Sequence, residues 1–252
     1  MILLSTSSLS GYGIHRILLL SKKAGFDGID LCLNYFDYDL WDGDYIKSLC
    51  ELTGIKVLSI TAPSKGLNEE IIDDIVSLSK KLGAQIINFS PPYFKDINAS
   101  WFAKHLIKVK SETKISISIK NVEPEFLLLV IPKYKNSSLL DIKKITGDTS
   151  LDLSIVDNGA GLDIIHSHKL LGTSLKNIYL SDKDGALPGY AGGGISNFPL
   201  ESFLMKLKTT AYNGFISLKV NPDDLGVGNE ELLLQNLSNI IEYYKKYYLN
   251  YK

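Results

Sequence analysis

Short apolar runs alternate along the chain with longer amphipathic stretches. Eight runs have the length and the β-branched or apolar composition of strands: residues 2–5, 28–33, 56–61, 85–90, 114–119, 151–156, 175–180 and 215–220. Between them, apolar residues recur with the 3.6-residue spacing of helices that bury one face. In the segment 69–82, acids at the start and lysines at the end match the helix dipole, and Gly83 follows as a stop.

The repeated unit predicts a closed barrel. Gly25, Gly54 and Gly83 each end a predicted helix just before the next strand. Eight such units in 252 residues fit a (β/α)8 barrel better than an open doubly wound sheet. No Pro/Gly/Ser-rich or like-charged linker interrupts the pattern. We therefore expect an α/β protein in which residues 1–252 form a single TIM barrel domain.

Composition and charge exclude several function classes. Hydrophobic residues make up 45% of the chain and charged residues 22%, as in folded globular proteins. The net charge of −1 offers no overall positive field for a nucleic-acid backbone or an anionic membrane. The first residues lack a basic segment, and no apolar run is long enough to span a bilayer. Cys32 and Cys50 form no metal-binding motif. We expect a cytoplasmic protein without nucleic-acid or membrane partners.

Charged and phenolic side chains lie where the predicted strands end, which is where (β/α)8 barrels carry their reactive groups. They are Asp30, Lys120, Asp157, Tyr179, Asp182 and Lys219. The barrel would bring them to one mouth. Charged residues are common at strand ends, and most of them form structural salt bridges. Salt bridges are therefore the simpler explanation for these charges.

Four segments resemble motifs of the xylose isomerase-like TIM barrels, which include sugar phosphate isomerases/epimerases and endonucleases of the endonuclease IV type. The first, AGFDGIDL at 24–31, is similar to the family's second strand, with Asp30 in place of the usual Glu. The others are YLSD at 179–182, LPGYAGGGISNF at 187–198 and YNGFISLK at 212–219. The resemblance extends over nearly the whole chain and implies a sugar or sugar phosphate as substrate.

The resemblance also implies a metal site, which this sequence alters. Isomerases and epimerases of that family hold one divalent metal with Glu, Asp, His and Glu on strands five to eight. The matching positions here are Lys120, Asp157, Tyr179 and Lys219, and Ala160 replaces a His that often follows the Asp. At roughly 4 Å and an effective dielectric near 20, each ammonium would repel a divalent ion by about 8 kcal/mol. We therefore predict no metal and no other cofactor.

Three interpretations of the two lysines stay open. They can pair with Asp157, Asp30 or Asp182, which would leave a non-catalytic sugar-binding, anion-binding or interaction protein. They can instead face a ligand, because a desolvated lysine beside a second cation becomes a base or a Schiff-base nucleophile toward a sugar carbonyl. Tyr179 and Asp157 would then exchange protons with the substrate. The third is a shifted metal site, and its ligands would come from Glu123, Glu125, Asp223 and Asp224.

Two loops carry further hypotheses. The backbone N–H groups of Gly192, Gly193 and Gly194 could hold a phosphate, or the glycines could form a flexible turn. The acidic segment 37–44 fails as a calcium loop, because Trp41 takes its fifth position and glycine is missing from its sixth. It predicts either a lid in which Trp41 stacks on a sugar or the capped start of a helix.

The histidines and the C-terminal tyrosines lie in predicted helices outside the barrel. We expect surface or packing roles for the histidines, which are His15, His105, His166 and His168. Tyr243, Tyr247 and Tyr251 share one helical face by their spacing. That face either covers the barrel or forms the contact of a homodimer. An endonuclease function is least supported, since the multi-metal ligand cluster and the positive charge are missing.

Overall fold

The computed structural model describes residues 1–93, 99–123, 125–128, 130–135, 137–156, 163–189 and 198–251. In these residues, eight parallel strands close into a barrel in chain order, and the last pairs with the first. The barrel strands are β1 (Ile2–Ser5), β2 (Gly28–Cys32), β3 (Val57–Thr61), β4 (Ile86–Phe89), β5 (Ser116–Lys120), β8 (Asp148–Asp152), β9 (Leu175–Leu180) and β10 (Phe215–Leu218). Between β5 and β8 in the chain, two short strands pair antiparallel outside the barrel sheet: β6 (Phe126–Leu127) and β7 (Ile131–Pro132). The predicted (β/α)8 barrel is confirmed.

Helices follow the strands and pack around the barrel. They are α1 (Ile14–Ala24), α2 (Gly43–Thr53), α3 (Glu69–Leu82), α4 (Ala99–Glu112), α5 (Leu139–Thr146), α6 (Ile164–Leu171), α7 (Leu200–Thr209), α8 (Pro222–Leu225) and α9 (Glu230–Tyr244). Gly25, Gly54 and Gly83 end α1, α2 and α3 in the left-handed conformation that the sequence predicted for them. None of the helices among these residues combines the length and the apolarity that crossing a bilayer requires.

The sixth barrel strand lies earlier than predicted. Its expected position was 151–156, whereas β8 spans Asp148–Asp152 and a 3₁₀ turn, Leu153–Ile155, follows it. The polar start of this strand is typical of a loop in sequence, but its polar groups are paired by tertiary contacts. Asp148 accepts a hydrogen bond from Ser116 Oγ at 2.9 Å and forms an ion pair with Lys110 at 2.7 Å. These partners offset the cost of burying a carboxylate.

The barrel interior is apolar at its amino-terminal end and polar above it. The floor is a separate cluster of buried side chains, namely Leu3, Leu58, Ile86 and Phe215. Above it, the Asn88 amide donates to Ser59 Oγ at 2.7 Å and accepts from Ser150 Oγ at 2.6 Å. Ser150 also lies 2.6 Å from Ser118 Oγ. The main hydrophobic core lies between strands and helices, so the interior of the barrel is free to carry polar groups.

Gly214→Ala is expected to lower the free energy of unfolding by about 1 to 3 kcal/mol, the usual cost of overpacking. A Cβ at this position would collide with the backbone oxygen of Lys176 and with the Tyr212 hydroxyl. Urea denaturation would measure the change. Gly43→Ala is the matched control, because its Cβ would meet the side chains of Lys81 and Leu78 and no backbone atom among its nearest contacts. An equal cost at both positions would contradict the backbone collision.

The histidines lie in helices as predicted, with His15 in α1, His105 in α4, and His166 and His168 in α6. At the C-terminus, α9 continues into a π-helical turn, Lys245–Leu249. There the rings of Tyr243 and Tyr247 lie 4.9 Å apart, and the Tyr243 ring also packs beside Gly189. Tyr243 and Tyr247 thus pack against the hydrophobic core, Tyr251 is exposed, and the homodimer stays a prediction.

Candidate functional site

Six polar side chains meet at the carboxyl ends of the barrel strands, and we call them the polar cup. They are Asp30 in β2, Thr61 ending β3, Lys120 ending β5, Asp152 ending β8, Tyr179 in β9 and Lys219 directly after β10. Four of the predicted site residues are thus brought together by the closure of the barrel. Thr61 and Asp152 were not predicted.

Asp152 holds both lysines of the cup. Its Oδ2 lies 2.5 Å from Lys219 Nζ and 3.7 Å from Lys120 Nζ, and its side chain is 1% exposed. The other carboxylate oxygen accepts from Ser154 Oγ at 2.6 Å. Burial raises the pKa of Asp152, but the charges of Lys219 and Lys120 outweigh it, so the pKa is lowered overall. Asp152 is therefore a carboxylate at neutral pH.

The two lysines differ in how firmly they hold their protons. Burial lowers the pKa of Lys120, and the positive charge of Lys219 lowers it further. Burial also acts on the pKa of Lys219, but its closer contact with Asp152 prevails and raises it. Lys120 is thus the lysine that gives up its proton more readily, while Lys219 stays charged.

Tyr179 begins a chain of hydrogen bonds that ends at Asp30. The buried Tyr179 hydroxyl lies 2.5 Å from Thr61 Oγ1, and Thr61 donates to Asp30, whose carboxylate oxygens are each 3.0 Å away. Because Thr61 has one hydroxyl hydrogen, the Tyr179 hydroxyl is the donor in their contact. Burial first, and the charge of Asp30 second, raise the pKa of Tyr179 well above its ordinary value. Tyr179 therefore remains a neutral phenol.

The Tyr179 ring also lies under both ammonium groups. Lys120 Nζ is 5.4 Å and Lys219 Nζ 5.7 Å from the ring centroid. An ammonium within about 6 Å of an aromatic face is attracted by the ring's negative face. This single side chain therefore links the lysine half of the cup to the Asp30 half.

Asp30 is held by neutral donors instead of the lysines. Ser5 Oγ donates to it at 3.0 Å, and Cys32 Sγ lies 3.4 Å away. Burial and the charge of Asp30 raise the pKa of Cys32, so the thiol stays protonated at neutral pH. The sequence predicted that the lysines pair with Asp157, Asp30 or Asp182, whereas in the structure both pair with Asp152.

A cavity of about 750 Å³ opens at this end of the barrel. Loops after several barrel strands line it, and its polar lining includes Ser7, Glu123, Ser154, Lys183, Asp184 and Lys219. Its size is within the range of small-molecule sites. Because Lys219 belongs both to the cavity wall and to the polar cup, a molecule in the cavity would lie next to the ion pairs.

Other predicted site residues lie outside the polar cup or outside the described residues. Asp157, Gly192, Gly193 and Gly194 belong to the second group. Asp182 is buried and accepts from the backbone N–H of Lys183 at 2.7 Å, in the turn that follows β9. The substrate contacts proposed for these residues stay predictions.

The loop after β2 forms a capped helix start. Asp42 accepts from the backbone N–H groups of Asp44 and Tyr45, which begins α2. The Trp41 indole donates to the Asn34 carbonyl at 2.7 Å. The helix-start interpretation of the loop is therefore confirmed, and stacking of Trp41 on a sugar stays a prediction.

The acids of the alternative metal site do not form a cluster in the described part of the chain. Glu125 pairs with Lys133, Glu123 lines the cavity, and Asp224 accepts from the Asn221 amide at 3.2 Å. Asp223 lies in the first turn of α8. Across the described ranges, no three His, Cys, Asp or Glu side chains are placed so that they could hold a metal ion.

Solved structures with the same architecture align over almost the whole chain. A D-tagatose 3-epimerase-like protein is 18% identical, with 96% of this chain and 98% of the other covered and a TM-score of 0.64. The IolI protein, solved with a zinc atom, is 16% identical over 98% and 99% of the two chains, with a TM-score of 0.67. A xylose isomerase domain protein from Alicyclobacillus acidocaldarius subsp. acidocaldarius is 16% identical over 97% and 100%, with a TM-score of 0.60. The chain shares the (β/α)8 barrel fold of these proteins.

The similarity to these proteins is limited to the fold. No protein-family model and no curated protein matches the sequence. In this barrel, the positions that the resemblance equates with metal ligands on strands five, seven and eight carry Lys120, Tyr179 and Lys219. The acid that faces them is Asp152.

Asp152 escaped prediction because the sixth strand was placed too late. Asp152 lies near the start of the predicted strand, 151–156, whereas it is the last residue of β8. The alternation of Ser150 and Asp152 with Leu151 and Leu153 is the signal that could have located it, since side chains two apart share a strand face.

Proposed function

We propose that this protein binds a small sugar or sugar phosphate at the polar cup and isomerises or epimerises it without a divalent metal. The observation that carries the proposal is the pair of lysines around Asp152, in which one lysine is charged and the other has a lowered pKa. The fold, shared with a D-tagatose 3-epimerase-like protein, supports the choice of substrate class.

The donors of the polar cup do not fit a divalent cation. Among the cup residues of β5, β8, β9 and β10, the carboxylate is Asp152, and two ammonium groups already contact its Oδ2. The cup's other carboxylate, Asp30, accepts hydrogen bonds from Ser5 and Thr61. Divalent ions in such sites require several oxygen or imidazole ligands. Lysine ammonium groups have no lone pair to offer and would repel the ion. The proposed reaction therefore uses no metal ion.

In the proposed reaction, the base is the deprotonated form of Lys120, which the lowered pKa makes more accessible than in an ordinary lysine. Its amine takes the proton from the carbon next to the sugar carbonyl, and the electron pair moves to the carbonyl oxygen, which gives an enediolate. The Lys219 ammonium stabilises the developing oxyanion. In isomerisation, the Lys120 ammonium then gives the proton to the neighbouring carbon, the original carbon becomes the new carbonyl, and its hydroxyl proton moves to the former carbonyl oxygen. In epimerisation, the enediolate turns over before Lys120 returns the proton to the other face of the original carbon. Lys120 is thereby restored to its neutral form.

Solvent exchange tests the proposal. The chelator-treated protein is incubated in deuterated water with aldoses, ketoses and their phosphates, and NMR follows deuterium at the carbon next to the carbonyl. We expect exchange with at least one sugar, at a rate that added divalent metals do not raise. Absence of exchange across the panel, or exchange that depends on an added metal, would contradict the proposal. Borohydride reduction followed by mass spectrometry distinguishes an imine to Lys120 from direct proton transfer.

A second candidate function is binding without catalysis. The charges of Lys120 and Lys219 equal those of Asp30 and Asp152, so the polar cup is internally neutral without a ligand. A protein that only binds sugars could keep such an arrangement. Saturable sugar binding without deuterium exchange would support this candidate over the isomerase.

A further inference from the structure

A second large cavity lies at the opposite, amino-terminal end of the barrel. It measures about 720 Å³ and is bounded by the last turns of α6 and α7 and by the start of β9. Three lysines line it, one from each of these elements: Lys169, Lys206 and Lys176. We call it the lysine cavity. It shares no lining residue with the cavity at the polar cup.

The lysine cavity has an excess of positive charge. None of its lining residues is an acid. In the described part of the chain, no carboxylate lies within the 4.0 Å of an ion pair from Lys169 or Lys206. Lys176 is 3.9 Å from Asp148, but Asp148 is held more closely by Lys110 at 2.7 Å. Among the described residues, Lys169 and Lys206 are therefore left without a counter-charge, and Lys176 shares Asp148 with Lys110.

Helix dipoles explain part of this arrangement. Lys169 and Lys206 lie in the last turns of α6 and α7, where cations are favourable. Lys176 lies on β9, so the dipoles do not account for its place in the same cavity wall. The three lysines thus line one cavity from three separate elements.

The remaining lining suits a small organic anion. Burial, and then the charge of Lys206, lowers the pKa of His168, so its imidazole is neutral at neutral pH and can donate one hydrogen bond. Ile165 and Leu175 supply apolar surface next to these polar groups. Such a mixture of a few polar groups and apolar walls is typical of ligand sites.

We propose that the lysine cavity binds the phosphoryl group of a small phosphorylated molecule, at a site separate from the polar cup. A phosphoryl group carries nearly two negative charges at neutral pH, which matches the uncompensated lysines better than a single carboxylate does. The ammonium groups of Lys169, Lys176 and Lys206 would donate to its oxygens. The apolar walls would contact the rest of the molecule.

Binding of inorganic pyrophosphate to the full chain, measured by calorimetry, tests this proposal. The double variant Lys169→Gln/Lys206→Gln is expected to weaken binding about 100-fold, or roughly tenfold for each lost charge-assisted contact. The control is Lys22→Gln/Lys47→Gln, which removes the same charge from exposed positions on α1 and α2. We expect the control to change the affinity by less than about threefold. Thermal unfolding checks that both variants are folded.

A second measurement follows the His168 imidazole by NMR. Its resonances should shift on addition of pyrophosphate to the unaltered protein and to the control, and should shift far less in the Lys169→Gln/Lys206→Gln variant. Equal weakening by both double variants would mean general attraction to positive charge and would overturn the proposal. Absence of saturable binding at millimolar pyrophosphate would also overturn it. Binding should persist in Lys120→Met, so the outcome does not depend on the function of the polar cup.

Discussion

Asp152→Asn is expected to lower the free energy of unfolding by about 3 to 5 kcal/mol, the usual cost of removing one partner of a buried ion pair. The carboxylate is 1% exposed and bridges Lys219 and Lys120. The amide has nearly the same shape, but it leaves two ammonium groups close together without a negative charge. The cost therefore reflects uncompensated charge and not a loss of packing.

The effect should depend on pH. Because the folded protein lowers the pKa of Asp152, its contribution is complete above the unfolded pKa, about 3.9, and is lost as the pH falls through the folded value. The pKa of Lys219 is raised, so its contribution is complete below the unfolded pKa, about 10.4, and is lost as the pH rises through the folded value. The difference between the two proteins should be largest between these limits.

Chemical denaturation at several pH values would measure this difference. Asp44→Asn is the matched control, because Asp44 forms a 2.8 Å ion pair with Lys81 while its side chain is 82% exposed. Exposed pairs contribute about 1 kcal/mol or less. If Asp152→Asn cost no more than Asp44→Asn, or if its cost were the same at pH 3 and pH 7, the buried ion pair would not be the source of stability.

Lys120→Met is expected to slow deuterium exchange by about 10²- to 10⁴-fold, the usual contribution of a general base, while changing stability by about 1 kcal/mol or less. Lys120 is the lysine whose pKa burial and Lys219 lower, so it supplies the neutral amine. Its removal relieves repulsion with Lys219 and keeps the 2.5 Å contact between Lys219 and Asp152. A strong kinetic effect should thus accompany a weak effect on folding.

Two arginine variants separate proton transfer from charge. Lys120→Arg keeps the positive charge but cannot release its proton, so we expect no recovery of exchange. Lys219→Arg keeps the charge that stabilises the oxyanion, and we expect it to retain part of the exchange rate. Exchange that persists in Lys120→Met would assign the base to another group. Equal loss in both arginine variants would contradict the division of roles between the lysines.

The sequence predicted much of the barrel because its elements are locally encoded. The segment 69–82 carries its apolar stripe, its terminal charges and its stop at Gly83 within 15 residues, and α3 follows them. The same local information placed Asp30, Lys120, Tyr179 and Lys219 near strand ends, and in the structure they lie in the polar cup. Each of these predictions required only the position of a residue within its own strand or helix.

The alternation of strand-like and helix-like segments by itself determined the (β/α)8 barrel, since period and length are properties of neighbouring residues. The tertiary structure alone decided which polar groups meet. Lys219 and Asp152 are 67 residues apart, and Thr61 and Tyr179 are 118 apart. Such contacts depend on barrel closure and strand register, and a slip of one residue turns every side chain of a strand to its other face. For that reason the choice of Asp152 as the partner of the lysines required the folded chain.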